Sequence, residues 1–418
     1  MITFGIIFDV TIPVYWQHIG MTSTPRFHIP GWMLLLGILT AIGSVSIDMY
    51  LPAFPAIQHS LNAGSGAVQL TLTTFFVGLL CGQLVYGPAS DRFGRKKPLV
   101  AGLALYSLAS IGCMLAQSID ALMFWRFIQA FGACSGIVLA RAIVRDRCDP
   151  REAARSFSML MLIMGVSPIL APLLGSYILQ VSSWRVIFGI NVAFGLACLI
   201  VVVTSLRESR SPDPATSLNP FSVFRGYVEI LRDPQFSVHA VSGGFAQAGL
   251  YAYLAGSPFV LIELFHLSPS AYGWVFCVNA VGLIGASQIN AALLKSNGIY
   301  TLLRHGLTAT LAAAVILAFA GLAGVATMPL LLAGIFCFMT SLGFVNPNAA
   351  AASLANHPER AGSASSLLGT LQYGLATLAT FAMGMIHDGS ARPLALSMAL
   401  FGLIGWGIHR RFAGRSPH

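Results

Sequence analysis

The chain has 418 residues, of which 56% are hydrophobic and only 9% charged, with a formal net charge of +9. A water-soluble chain of this size needs about a quarter of its residues charged, so the composition excludes an ordinary soluble enzyme or binding domain. The positive charge sits at the ends of apolar runs, which points to membrane topology and away from nucleic acid.

The first thirty residues come before any convincing span. Ile2 to Val10 is apolar, but Asp9, Pro13 and His18 interrupt it and no basic leader precedes it. Residues 1–30 are read as an N-terminal cytoplasmic extension, or in part as residues ahead of a true start at Met21. Apolar runs of about 18–25 residues, the length that crosses roughly 30 Å of hydrocarbon as helix, then follow at 31–54, 68–90, 98–117, 121–144, 156–180 and 185–206. A polar stretch at 207–236, rich in Arg, Pro and Asp, reads as a cytoplasmic linker. Six more runs occupy 237–263, 271–294, 302–325, 328–352, 363–387 and 392–411, and 412–418 is left as a cytoplasmic tail. The fold class expected is an all-α membrane protein of about 12 transmembrane helices in two six-helix halves, 31–206 and 237–411. Without strand alternation a barrel is excluded, because a backbone in lipid must satisfy its own hydrogen bonds.

Charge sets the orientation. With the N-terminus inside, twenty Lys and Arg fall on one side, only Arg185 and Arg392 on the other, and Arg126 lies within a span. The asymmetry predicts both termini in the cytoplasm. Small residues recur four apart at Gly78/Gly82, Gly132/Gly136, Ser167/Ala171/Gly175 and Gly362/Ser366/Thr370/Gly374. Such stripes allow close helix approach in lipid, either as fixed packing or as sliding contacts between moving halves. The cysteines form no ligand spacing, and neither HExxH nor GxxxxGK[ST] occurs. No metal or cofactor is expected, and proton motive force is the simplest energy source.

The loop between the second and third runs reads Gly87-Pro88-Ala89-Ser90-Asp91-Arg92-Phe93-Gly94-Arg95-Lys96-Lys97. It resembles the cytoplasmic loop signature of the major facilitator superfamily. Gly94 permits a tight turn between antiparallel helices, and Asp91 can pair with a nearby arginine when an inner gate is shut. Gly87, Asp91, Arg92, Gly94 and Arg95 are the inner-gate candidates. Arg126-Phe127-Ile128-Gln129-Ala130-Phe131-Gly132 resembles the superfamily's fourth-helix motif with its intramembrane arginine. Ser167, Ala171, Pro172 and Gly175 resemble the fifth-helix motif of its antiporters, with small residues in place of several glycines. Asp48-Met49-Tyr50-Leu51-Pro52, together with Gly256-Ser257-Pro258-Phe259, is similar to the bicyclomycin/chloramphenicol-resistance branch of the drug:proton antiporters. The resemblance implies a major facilitator fold and proton-coupled export of small amphipathic toxic compounds across a bacterial inner membrane. Import by proton symport, or a transporter-like receptor, stays open. The partners implied are a small-molecule substrate, protons and the bilayer, with no nucleic acid, and a monomer is expected.

An ionisable side chain inside a span normally persists for function or with a partner. Asp48 lies seven residues before Pro55, about 10 Å below the outer face, and Arg126 about 9 Å below it, at 1.5 Å rise per residue. Equal depth makes them a candidate pair, with Asp48 the proton-coupling acid and Arg126 its modulator. Glu263 reads as interfacial. Tyr50, Phe54, Tyr251, Tyr253 and Tyr373 are candidates for an apolar substrate cavity, though packing accounts for such residues equally well.

Overall fold

The structure is a computed structural model, and it describes residues 31–148, 150–213, 220–323, 327–357, 361–386 and 388–412. The extension 1–30, the centre of the linker and the residues after 412 lie outside that set, so the expectations placed on them, including a start at Met21, have no structural counterpart here. Among the described residues every regular element is helical.

The first half comprises α1 (Gly31–Asp48), α2 (Phe54–Ser60), α3 (Ser65–Phe93), α4 (Lys96–Leu115), α5 (Ile119–Arg147), α6 (Pro150–Val181) and α7 (Arg185–Ser205). The first predicted span is broken: α1 stops at Asp48, a 3₁₀ turn covers Leu51–Ala53, and α2 resumes the climb. Pro52 and Pro55 cause the break, since each lacks the N–H that would continue the ladder. Within the linker an amphipathic helix forms, α8 (Pro220–Leu231), whose Ile230 packs on Phe236 and Leu367. The second half comprises α9 (Pro234–Pro258), α10 (Pro269–Leu293), α11 (Ile299–Leu322), α12 (Met328–Leu354), α13 (Ala361–Met385) and α14 (Arg392–Phe412). After Pro258 the chain passes into one π-helical stretch, Phe259–Leu264.

Among the described residues, ten helical segments are long and apolar enough to cross a membrane. The remaining two of the expected twelve, α13 and α14, are full-length helices diluted by Gly, Ser and Thr or by terminal Arg and His. Both are built into the bundle: α13 packs between α3 and α9, and α14 against α9 and α11.

The halves repeat one packing plan. In the first, α3 and α4 pack on α5, α4 on α7, and α1 on α5 and α6; in the second, α10 and α11 pack on α12, α11 on α14, and α9 on α12 and α13. Between halves the main contacts are α3 with α13 and α6 with α10. The stripes Gly78/Gly82 and Gly132/Gly136 face helices of their own half, so fixed packing explains them. We call the end carrying the α3–α4 loop the basic end. At the opposite end the turn Leu51–Ala53 touches both α9 and α10, and α2 touches the π-helical stretch, closing the halves together.

Candidate functional site

Two sites emerge, one at the basic end and one near the opposite end. At the basic end, α3 and α4 meet at Gly94, whose φ of +83° is open to glycine. A second constraint acts there that the sequence did not reveal. A Cβ on Gly94 would lie 2.7 Å from Glu208 Oε2, because the start of the linker folds across the turn.

Glu208 caps α4: the backbone N–H groups of Arg95 and Lys96 donate to its two carboxylate oxygens at 2.7 and 3.1 Å. A carboxylate at a helix N-terminus meets both unsatisfied donors and the positive end of the helix dipole. Arg95 is buried beneath. It donates to Ser90 and Asp91 at 2.7 Å each and forks onto Asp146, the acid near the end of α5, at 2.7 and 3.2 Å. Burial penalises the Arg95 charge, but the hydrogen bonds and charges of Asp146 and Asp91 outweigh it and hold the guanidinium above its usual range. The linker closes the network from above, with Arg210 on Asp91 at 3.1 Å and Ser209 donating to Asp146 at 3.0 Å.

Asp91, Gly94 and Arg95 therefore come together as expected. Arg92 does not join them; it rests 5.8 Å from the Phe93 ring, and the second arginine on Asp91 is Arg210. Gly87 faces open space. Asp146, Glu208, Ser209 and Arg210 were missed. Asp146 and Glu208 had one faint signal, each being an acid set among arginines at a helix end. The second half reaches this end through α13, where a Cβ on Gly362 would lie 2.8 Å from Arg145 Nη1. We expect Glu208→Gln, which keeps the shape but loses the charge, to slow transport several-fold while leaving the amount in the membrane unchanged. Equal transport rates for Glu208→Gln and wild type in proteoliposomes would show that the cap carries no gating role.

Near the opposite end, Arg126 of α5 is wholly buried. Its Nη1 donates to Gln129 Oε1 at 2.7 Å and to the Ser46 carbonyl at 3.1 Å. Its guanidinium lies over the rings of Phe75 at 4.1 Å, Tyr50 at 4.4 Å and Phe188 at 5.8 Å. Gln129 is fixed in turn by donating to Ser110 Oγ at 2.8 Å. The contact with Ser46, two residues before Asp48, sets the arginine beside the last turn of α1. The expected ion pair is absent, however: among the described salt bridges none joins Asp48 to Arg126. Only Nη1 of the arginine finds oxygen acceptors; Nε and Nη2 are buried without a hydrogen-bond partner, and the guanidinium is otherwise met by π-faces.

Asp48 closes α1 and is 5% exposed, with Oδ2 lacking any hydrogen-bond partner. Just beyond it the turn Leu51–Ala53 packs on α9 and α10, so the end of α1 lies close to the second half. On α6 the antiporter-type residues form the wall behind it. A Cβ on Gly175 would collide with the Met49 carbonyl oxygen, Ala171 is buried, and Ser176 Oγ donates to the carbonyls of Pro172 and, across the halves, Pro269. Ser167 is buried on the same helix with its hydroxyl unpartnered.

The candidate cavity residues separate into three groups. Tyr251 and Tyr373 gather on Phe76, at 4.8 and 6.3 Å between ring centroids, forming an aromatic cluster where α3, α9 and α13 meet. Tyr253 is held by Asn279, whose Nδ2 donates to its hydroxyl at 3.1 Å, and its ring stacks on Phe276. Tyr50 and Phe54 pack together at 5.1 Å within the first half, and Tyr50, which shares a 2.6 Å hydrogen bond with Thr71, is one wall of the Arg126 cage. Glu263 falls on the π-helical stretch at the same end.

The family model described as Major Facilitator Superfamily matches residues 34–380. An uncharacterised MFS-type transporter of Bacillus subtilis, YdgK, is 35% identical over 377 residues, 89% of this chain and 92% of that protein. A bicyclomycin resistance protein homolog of Haemophilus influenzae is 26% identical, over 88% and 92% of the two chains. The multidrug resistance protein MdtL of Escherichia coli is 31% identical over 61% of this chain and 63% of its own length. Among solved structures, a D-xylose-proton symporter superposes with a TM-score of 0.71 at 13% identity, covering 90% of this chain and 97% of the other, a likeness of fold alone.

Proposed function

This chain belongs to the Major Facilitator Superfamily, a multi-pass membrane transporter, and on that premise we propose that it is a proton-coupled antiporter exporting small amphipathic compounds from bacterial cytoplasm. The observation that carries the reading is Asp48: one carboxyl group, buried where the two halves meet, with an oxygen left without a partner. Such a group can hold a proton in one state and surrender it in another as the halves move, which is what antiport needs. Drug resistance in the names of two relatives supports the substrate class. The aromatic cluster of Phe76, Tyr251 and Tyr373 supports it too, offering π-faces between the halves to a flat or cationic ligand.

In this reading the two halves rock about the α3–α13 and α6–α10 contacts. The Asp91–Arg95–Asp146 network holds the cytoplasmic gate, and Arg126 fixes the electrostatic setting of α1 without binding Asp48. The chain acts as a monomer in the inner membrane, with proton motive force as its only energy source. The test is purified protein in proteoliposomes with an imposed pH gradient: addition of an exported compound should release protons. Transport that proceeds at the same rate with the gradient collapsed would refute coupling.

Orientation has its own test. Reporter fusions after Asn62, Gln117 and His266 should report the periplasmic side, and fusions after Lys97, Pro150, Pro214 and Ser416 the cytoplasm. A cytoplasmic signal at His266 would break the six-plus-six scheme.

A further inference from the structure

We propose that the crevice between the two halves at the end opposite the basic loop is a binding site for a small organic anion with an apolar body, and that its occupant holds this end shut. The site draws only on the halves parting here during transport, and not on the role given to Asp48.

The charge pattern already sets Arg185 apart. It is one of two basic residues left on the outer side, against the usual bias of membrane proteins. In the structure it opens α7 at the edge of a crevice of about 360 Å³. Its guanidinium donates to the Ala116 carbonyl at 3.0 Å and to Ser60 Oγ at 3.3 Å, and lies 4.3 Å from the centre of the Trp184 ring. Those two bonds use two of the five N–H groups that a guanidinium carries.

The polar groups around it are also donors. Trp184 lines the crevice and is 3% exposed, and its Nε1–H is buried without a hydrogen-bond partner. It is the N-cap of α7 and gives that helix no side-chain cap, so the positive end of the helix dipole meets no acceptor from its own cap. Ser60 and Ser183 add hydroxyls to the rim. Among the described residues lining the crevice none is acidic; Glu263 follows Ile262 in the chain but is not one of them. A cation, a helix N-terminus, an indole N–H and hydroxyls together select a negative head over a neutral or positive one.

Size and the remaining wall describe the rest of the ligand. An inorganic anion would leave most of the crevice empty, whereas volumes of about 300–1,000 Å³ hold small organic molecules. Leu179 of α6, Ile262 of the π-helical stretch and Pro269 at the start of α10 supply apolar surface. Leu179 and the donors belong to the first half, and Ile262 and Pro269 to the second. A ligand with its head on Arg185 and its body on Ile262 and Pro269 touches both halves at once. Parting them strips those apolar contacts, so binding favours the closed arrangement by the contacts made only there. A dissolved amphiphilic carboxylate and an anionic lipid of the outer leaflet both offer this chemistry.

The probe is 8-bromooctanoate, whose bromine quenches indole fluorescence on contact, added to the protein in phosphatidylcholine nanodiscs. Quenching should saturate, and the saturable part should vanish in Trp184→Phe, which assigns it to this tryptophan among the six of the chain. Arg185→Gln should weaken binding by about tenfold or more, as expected for loss of charge-assisted hydrogen bonds. Ser183→Glu sets a carboxylate at an exposed position on the rim and should do the same. It carries the test if Arg185→Gln fails to assemble. Neutral 8-bromooctanol should quench without saturating. Phosphatidylglycerol in the nanodisc should raise the apparent Kd if the lipid is the natural occupant, and leave it unchanged if the dissolved anion is. Equal saturation by the bromoalcohol, or unchanged binding in both Arg185→Gln and Ser183→Glu, overturns the anion site. Closure has its own readout, pulsed electron-electron distances between spin labels at Gln117→Cys and Asp388→Cys, exposed positions in loops of the two halves at this end. Cys81, Cys148 and Cys337, which are not buried, are replaced by serine. At a pH where wild type shows both a short and a long distance, octanoate should enrich the short one, and should not do so in Ser183→Glu. Saturable binding without that enrichment overturns the clamp and leaves the site standing.

Discussion

Asp48→Asn should abolish substrate-driven proton release in proteoliposomes while substrate binding persists. Asparagine has nearly the shape of a protonated aspartic acid, so it suits the buried position where Asp48 is 5% exposed. It cannot cycle, however, and the carrier loses the step that one proton drives. The lost driving force is substantial: one charge crossing 100 mV supplies about 2.3 kcal/mol, equivalent to roughly a fifty-fold substrate gradient. Asp48→Glu should retain partial coupling, since the acid survives but a longer side chain must fit a position that is 5% exposed. The measurement is the ratio of protons released to substrate moved. A wild-type ratio in Asp48→Asn would transfer the coupling role elsewhere, with Glu263 on the π-helical stretch the next acid to test.

The sequence made the helical framework legible because apolar length is a local property, and the loop signature was legible because its residues are contiguous. Partners brought together by the fold were not. Asp146 and Glu208 lie 51 and 113 residues from Arg95, and no spacing rule connects them to it. Gly94 was read as a turn residue, which its φ supports; that it also clears space for Glu208 depends on where the linker returns. Depth along a helix was enough to set Asp48 and Arg126 level, yet azimuth decided the outcome. Arg126 turns into its own half toward Phe75 and Gln129, whereas Asp48 makes no salt bridge with it and ends α1 just before the turn that packs on α9 and α10. The tyrosines show the same limit, because residue type could not separate the Arg126 cage around Tyr50 from the inter-half cluster around Phe76.

That azimuth gives a prediction for Arg126. Arg126→Ala should be severe, losing both transport and stability, because it empties a fully buried space between three aromatic rings and leaves Gln129 Oε1 with only the long contact from Cys113 Sγ at 4.0 Å. Removing a large buried side chain costs about 3–5 kcal/mol in comparable cores, enough to lower the amount of assembled protein. Arg126→Lys should be intermediate. Lysine keeps the charge and one donor, but a compact ammonium cannot lie flat between Phe75 and Tyr50 while reaching both Gln129 and the Ser46 carbonyl. Double-mutant cycles on thermal stability then separate this cage from an ion pair with Asp48. Arg126→Lys combined with Gln129→Leu should show a coupling of about 1–2 kcal/mol, the range for residues sharing a buried hydrogen bond. Arg126→Lys combined with Asp48→Asn should be additive to within about 0.5 kcal/mol, as expected of residues with no shared partner. A strong coupling in the second cycle and none in the first would mean that the arginine answers the aspartate after all, and that its aromatic cage is packing around a charge pair formed in another state of the transport cycle.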